Sequence, residues 1–368
     1  MRVLITGANG FVGKNLAVRL AEREDVEVVS FTRDHVIEEL PKLIKDVDFV
    51  FHLAGVNRPD NDNEFKLGNT DLTVALCAAI EASGRTIPVI YSSSIQAELD
   101  NPYGESKLAA EQALLDFSVR TDNSVYIFRL PNVFGKWCKP NYNSAVATFC
   151  YNIAHDLPVQ INDPSSVIRL VYVDDVVNRF ISIMEGAITT EAYCDVNPIY
   201  EITVGDLVEK IKTFKLSREN LITERVGTGL DRALHSTYLS YLPSADFSYV
   251  LTKHGDERGV FVEMLKTKDS GQFSYFTAHP GITRGGHYHH TKTEKFLVIK
   301  GDALFKFRNI ISDESYELKT SGDNPTVVET VPGWTHDITN IGSDEMLVML
   351  WANEVFDRDF PDTYAKPL

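Results

Sequence analysis

The sequence predicts an α/β domain built on a doubly wound, Rossmann-type parallel sheet, followed by an all-β domain of the barrel or jelly-roll class. Up to about residue 130, short apolar runs alternate with amphipathic stretches. Strands separated by helices call for right-handed βαβ units and a parallel sheet. From about Ser244 the runs become short, β-rich and closely spaced, with no helices between them, which is the pattern of a barrel or jelly roll. The 368 residues are enough for two domains, each with its own core.

Taken in order, Val3-Leu4-Ile5 reads as a buried strand, and apolar spacing over 11–24 as a helix. Strands are expected at 26–31 and 49–53, a helix over 69–83, a strand at 87–91, a helix over 105–117 and a strand at 125–129. Between 131 and 243 turn residues, helices and short strands mix. The later strands are expected at 260–264, 273–276, 295–299, 303–307, 326–331 and 346–351, with Gly and Asp clusters between them. The joint falls at Tyr241-Leu242-Pro243-Ser244, which gives domains 1–243 and 244–368.

Lys+Arg 36 against Asp+Glu 52 leaves a formal charge of −16, a surface that repels polyphosphate and excludes bulk nucleic-acid binding. A small anion held by a few local donors remains compatible with it. No apolar run approaches the ~18 residues of a membrane helix, and Met1 is followed by a strand rather than a basic leader, so no membrane partner is expected. Cys77, Cys138, Cys150 and Cys194 show no CxxC spacing, which argues against a disulfide framework or zinc ribbon and fits a cytoplasmic protein.

Gly7-Ala8-Asn9-Gly10-Phe11-Val12-Gly13 places a Gly-x-x-Gly-x-x-Gly run at the first strand-to-helix turn. Glycines there let the backbone approach a pyrophosphate, which sits at the positive end of a helix. After the second strand comes Arg33 rather than a carboxylate. A cation suits a ribose 2′-phosphate and favours NADPH over NADH, although the adjacent Asp34 also allows a plain solvated turn. Tyr103-x-x-x-Lys107 sets a phenol and an ammonium on one helical face. Lys107 would stabilise a phenolate and Tyr103 would exchange a proton with a carbonyl oxygen during hydride transfer, with a hydroxyl of Ser92-Ser93-Ser94 orienting that oxygen.

Together these residues resemble the extended short-chain dehydrogenase/reductases, especially nucleotide-sugar epimerases and reductases. The resemblance covers about residues 1–240 and implies several further roles. His52-Leu53-Ala54-Gly55 is similar to the motif beside the nicotinamide ribose, and Asn69 matches a helix asparagine. Arg129-Leu130-Pro131-Asn132-Val133-Phe134-Gly135 resembles the segment whose Asn contacts substrate. Arg169-Leu170-Val171-Tyr172-Val173-Asp174-Asp175-Val176 resembles the segment whose Arg reaches the nucleotide diphosphate, so that 131–243 would be the substrate-binding part. By the family pattern Ser94 is the catalytic serine, although only nine positions separate it from Tyr103, and Ser92 and Ser93 stay in play.

In the second half, Gly281, His287-x-His289, Glu294 and Gly301 are followed by His336 in Pro332-Gly333-Trp334-Thr335-His336. Strand alternation puts His287 and His289 on one face. Three imidazoles and a carboxylate converging in a barrel make a divalent-metal site, with zinc heading a set that includes nickel, manganese and iron. His290 is a spare ligand whose alternation points it the other way. These motifs resemble the cupin superfamily. Asp256-Glu257-Arg258-Gly259 and Thr283-Arg284-Gly285-Gly286-His287 are further similar to cupin-fold deoxysugar 3,5-epimerases, in which the last histidine removes a proton beside a ketone. His287 therefore has two candidate roles, base and ligand. Arg258 and Arg284 are either phosphate contacts or exposed strand-end charges.

A ketone at C4 of a hexose acidifies the neighbouring C3 and C5 protons, and reduction of that ketone ends the acidity. Epimerisation must therefore precede reduction if one chain does both. The whole chain resembles the bifunctional C3-epimerase/C4-reductases of capsule and O-antigen synthesis. That implies a UDP-2-acetamido-2,6-dideoxy-4-hexulose substrate, a 6-deoxy-L-talosamine product, and a dimer. Two rivals remain. In one, a single-activity epimerase or dehydratase carries the cupin as a dimerisation or metal-binding module, although Ile95-Gln96 after Ser94 lacks the acidic residue usual in dehydratases. In the other, the chain is a non-catalytic binding protein.

Overall fold

The computed structural model describes residues 1–187 and 192–368. The chain forms two compact units, one of residues 1–211 with 232–242 and the other of 212–231 with 243–368. The joint near 243 is therefore not the only crossing. Residues 212–231, assigned from sequence to the first domain, belong to the second unit. There Ile222–Thr223 pairs in parallel with Lys266 and Thr267. Glu224 and Arg225 form ion pairs with Lys268 at 2.7 Å and Asp269 at 2.6 Å. A two-residue strand carries no periodicity that could be read in advance.

The first unit holds a five-stranded parallel sheet of β1 (Arg2–Thr6), β2 (Glu27–Phe31), β3 (Phe49–His52), β4 (Val89–Ser94) and β5 (Val125–Leu130), in the order β2-β1-β3-β4-β5. The central strands are almost continuously apolar because both faces are covered. On one face Leu4, Val50, Val89, Tyr91 and Ile127 pack with Leu76, Ile80, Leu114 and Phe117 from the helices Leu72–Ser83 and Pro102–Thr121. On the other, Phe51 and Phe128 meet Phe180 of the helix Val173–Met184, with ring centroids 6.3 and 4.9 Å apart. The chain leaves β1 for β2 on one side and returns to β3 on the other. The carboxyl end of β1 is thus a topological switch point, where α/β sheets bind ligands.

The helix expected over 105–117 runs from Pro102 to Thr121. Its start is set by Asn101, whose side chain accepts the Gly104 N–H at 2.9 Å, and by Pro102 at the first position. This start puts Tyr103 and Lys107 in the first two turns. A small sheet of β6 (Asn132–Phe134), β7 (Val167–Tyr172) and β8 (Tyr200–Thr203) completes the unit's strands.

The second unit is all-β over 254–368. One sheet runs His254–Asp256, Gly259–Thr267, Gly271–Ala278, Met346–Ala352, Glu294–Lys300, Val327–Glu329; the other runs Ser315–Ser321, Asp302–Asn309, Trp334–Asn340, Thr283–Tyr288, Tyr364–Ala365. Both contribute to one core containing Phe276, Phe296, Val348, Phe305, Phe307 and Ile338. The Phe296 and Phe305 rings, one from each sheet, lie 5.8 Å apart. All four cysteines are buried free thiols, and no described helix is long and apolar enough to cross a membrane.

Candidate active sites

The first site begins where β1 ends. Gly7 has φ +71°, a left-handed conformation that costs a side-chain-bearing residue dearly. Its N–H donates to the Phe31 carbonyl at 2.8 Å and its carbonyl accepts the Gly10 N–H at 2.8 Å. A Cβ on Gly7 would lie 2.7 Å from the Ala54 backbone, and one on Gly13 would lie 2.9 Å from the Ala8 Cα. The turn through Asn9 and Gly10, the helix start at Phe11 and Val12, and Leu53-Ala54-Gly55 after β3 therefore gather at the carboxyl ends of adjacent strands. Close-packed backbone with helix N–H groups at its mouth fits a dinucleotide pyrophosphate. Arg33 is exposed just beyond β2, the strand beside β1.

Beneath the turn lies the first residue of the His52-Leu53-Ala54-Gly55 motif. His52 is buried, with Nδ1 2.7 Å from Thr6 Oγ1 and Nε2 2.8 Å from Thr73 Oγ1. Thr6 Oγ1 also accepts the Ala54 N–H at 3.1 Å. Burial, reinforced by the Lys107 charge, pushes the His52 imidazole down to about 3, so it is neutral at physiological pH. It pins the 53–55 loop to β1.

Of the three serines, Ser94 is the one whose hydroxyl acts on the Tyr103 phenol. Ser92 donates to the His52 carbonyl at 3.5 Å, and buried Ser93 donates to Glu111. Burial raises the Tyr103 phenol above its ordinary range, opposed by the Ser94 hydroxyl. Lys107 is 5% exposed and donates to the Ser92 carbonyl at 2.9 Å. Burial pushes its ammonium down to about 8, and the Glu111 charge works the other way. A Cβ on Gly55 would meet Asn69 Oδ1 at 2.9 Å and Lys107 Nζ at 3.3 Å. Asn69 holds Val56 through its N–H at 2.8 Å and its carbonyl at 3.1 Å, and donates to Ser106 at 2.9 Å. The post-β3 loop and the Tyr103 helix are thus tied into one site.

Glu111, fully buried one turn beyond Lys107, escaped the sequence reading because a helical glutamate is usually solvent-facing. It receives Arg129 Nε and Nη2, the latter at 2.6 Å, together with Ser93 and, at 3.0 Å, the Tyr193 hydroxyl. Glu111→Ala strips Ser93 of its acceptor and leaves Arg129 with the exposed Glu98 carboxylate, at 2.9 Å. It is expected to cost about 3 kcal/mol, read as a lower denaturant midpoint. An unchanged midpoint would make the network dispensable.

Asn132 and Arg169 meet on the small sheet, both exposed. Asn132 Nδ2 donates to the Arg169 carbonyl at 3.1 Å, while the Arg169 guanidinium lies 3.5 Å from Glu201.

The second site lies in the all-β unit. His287, His289, Glu294 and His336 each offer one ligand atom, all within 4.8 Å of one another. His287 pairs with His336 across neighbouring strands. His289, Glu294 and His336 are buried and His287 is half-buried; burial pushes the His287 imidazole down to about 4. His289 Nδ1 faces the Asp362 carbonyl, which can only accept, so Nδ1 carries the proton. His289 Nε2 faces Glu294 Oε2 at 3.2 Å. Both His336 ring nitrogens are buried without a hydrogen-bond partner among the described residues. A cation held by His289 Nε2, Glu294 and one His336 nitrogen gives these converging atoms a common partner, so the donor set fits a divalent metal.

His290 stands apart from this cluster, exposed, its ring 4.9 Å from Tyr364. Arg258 is exposed and bound to Asp256 at 2.5 Å. Arg284 is half-buried over the Phe276 ring, and its Nε has no partner among the described residues.

A Rossmann-type unit with a Ser-Tyr-Lys cluster, joined to an all-β unit with a His/Glu cluster, defines a two-part enzyme that uses a nicotinamide cofactor. Residues 3–197 match the NAD dependent epimerase/dehydratase family, and residues 254–364 match the polysaccharide biosynthesis C-terminal domain. The chain belongs to the NAD dependent epimerase/dehydratase family. It is 63% identical to the UDP-2-acetamido-2,6-beta-L-arabino-hexul-4-ose reductase of Pseudomonas aeruginosa, over 99% of this chain and 98% of that one. The crystal structure of the capsular polysaccharide assembling protein CapF from Staphylococcus aureus matches with a TM-score of 0.93 and 45% identity, covering 100% of both chains. A UDP-glucuronic acid 4-epimerase from Bacillus cereus, in complex with UDP-glucuronic acid and NAD, shares the fold over 66% of this chain and 99% of its own. Its TM-score is 0.56 and its identity 17%.

Proposed function

We propose that this chain is a bifunctional nucleotide-sugar enzyme. Its all-β unit epimerises C3 of a UDP-2-acetamido-2,6-dideoxy-4-hexulose, and its first unit reduces the C4 ketone with NADPH to a 6-deoxy-L-talose-type product. The observation that carries this reading is the 63% identity, spanning both units, to a reductase named for a UDP-linked 4-keto sugar. In the reductase site Gly7, Asn9, Gly10, Phe11, Val12, Gly13, Leu53, Ala54 and Gly55 cradle the dinucleotide. Asn132 and Arg169 hold the nucleotide sugar. When bound, the reduced nicotinamide supplies the hydride that C4 receives. Ser94 orients the C4 oxygen and Tyr103 gives it a proton, so the ketone gains one hydride and one proton. Lys107 stabilises the phenolate left behind.

In the second site His287 takes the C3 proton. The electron pair of the broken C–H bond moves into the ketone as an enolate, a solvent-derived proton adds to the opposite face of C3, and the proton taken by His287 passes to solvent. His289, Glu294 and His336 hold a divalent ion, with zinc the first choice, and His287 completes the set or is spared for catalysis. When bound, that ion supplies positive charge for the developing enolate. Arg258 and Arg284 offer charge to the diphosphate. Soluble sugar nucleotide and NADPH make the cytoplasm the natural location, and we assign a homodimer on the same reading.

The direct test is incubation with the 4-keto UDP-sugar while following NADPH oxidation; no oxidation would refute the reductase. Arg33→Ala should weaken NADPH far more than NADH, because a charge-assisted bond worth about 1.5–3 kcal/mol is lost for only one of them. Titration of both cofactors against the variant checks this, and equal loss removes Arg33 from the 2′-phosphate.

A further inference from the structure

Just before the chain end, Asp362 meets the loop that joins His289 to Glu294, and almost all of its polar atoms are spent there. Its main-chain carbonyl faces His289 Nδ1. Its Oδ1 accepts the His290 N–H at 2.9 Å. Its Oδ2 accepts the Thr291 N–H at 2.7 Å, the Lys292 N–H at 2.8 Å and the Thr291 hydroxyl at 3.0 Å. Three successive amides thus converge on one carboxylate, a backbone nest built for an anion. Although burial opposes it, these N–H bonds hold the Asp362 carboxyl well below the usual carboxylate range.

The loop held this way is short and carries ligands at both ends. His289 precedes it and Glu294 follows it. Within it Lys292 is 6% exposed, with its ammonium 3.3 Å from Glu294 Oε1. Two residues beyond Asp362, Tyr364–Ala365 pairs with Tyr288 and His287 on the ligand-bearing strand. The same segment therefore borders two of the four residues of the cluster, His287 and His289.

We propose that Asp362 is a positioning residue for the metal site, a proposal that rests on the metal reading given above. Its carbonyl fixes the His289 tautomer, leaving Nε2 for the ion. Its carboxylate sets the 290–292 loop, and through it the spacing of His289 from Glu294. Partners of this kind, one step removed from the ion, typically contribute about 10–100-fold to metal affinity.

The test uses the full chain, stripped of metal and titrated with zinc against a competing chelator. Asp362→Ala is expected to raise the zinc Kd about 10–100-fold. Asp362→Asn, which keeps size but loses charge, is expected to fall between it and wild type. With cobalt(II) as probe, the visible absorption bands of both variants should shift, because coordination geometry changes. A purely structural role would lower the apo thermal midpoint and leave the Kd and cobalt spectrum of the folded protein as in wild type; that result overturns the proposal. If Asp362→Ala does not fold, Asp362→Asn decides by the same criteria. A wild-type chain that takes up no zinc or cobalt overturns the metal reading itself. Uptake that is equal in wild type and variants overturns only the role of Asp362.

Discussion

Tyr103→Phe is expected to lower NADPH-dependent reduction of the 4-keto sugar by about 10²–10⁴-fold, the usual worth of a general acid. The change removes one hydroxyl. The ring and its contact with Phe65, centroids 5.6 Å apart, remain, so the helix and the NADPH site should persist. Burial holds the phenol above its ordinary range, which keeps it protonated at neutral pH and able to give a proton when C4 becomes an alcohol. The Lys107 ammonium, pushed down to about 8 by burial, is still largely charged at pH 7 and available to the phenolate. Two measurements check this: NADPH oxidation with substrate, and NADPH affinity without it. Near-normal oxidation would remove Tyr103 from the proton step. Exchange of the C3 proton should continue in the variant, because that chemistry is assigned to the other unit.

The parts of the fold legible in sequence were those with strong local signals. Val3-Leu4-Ile5 and Phe49-Val50-Phe51 are buried on both faces, so their composition alone marks them as strands. The glycine run is legible because backbone geometry at Gly7 restricts the residue type. Tyr103, Lys107, His287 and His289 follow from helical and strand periods that place side chains on one face. What was missed depends on contacts distant in sequence. Ile222–Thr223 has no pattern of its own and is a strand only because Lys266–Thr267 lies beside it. Glu111 reads as an exposed helical charge until Arg129, 18 residues on, turns inward to meet it. Asp362 lies 73 residues from His289 and has no motif around it. The surroundings of Ser92 and Ser93 likewise needed three dimensions, since β4 turns Ser92 to the His52 carbonyl and Ser93 to the buried Glu111.

His287→Asn is expected to stop deuterium incorporation at C3 of the 4-keto sugar while metal stays bound. The expectation follows from how the four residues of the cluster are buried. His289, Glu294 and His336 lie deepest, and three such ligands make a complete site with open positions. His287 is the half-buried member, more open than the other three. Exchange requires a base within hydrogen-bond reach of the C3 proton, and loss of a positioned base typically costs about 10²–10⁴-fold. If His287 is chiefly a ligand, the same variant loses metal in parallel with exchange. His336→Ala should deplete metal in either case, since it removes one of the deep ligands. Metal stoichiometry and deuterium uptake, measured without NADPH on the same preparations, separate these outcomes. Wild-type uptake in His287→Asn would end the assignment of His287 as the base.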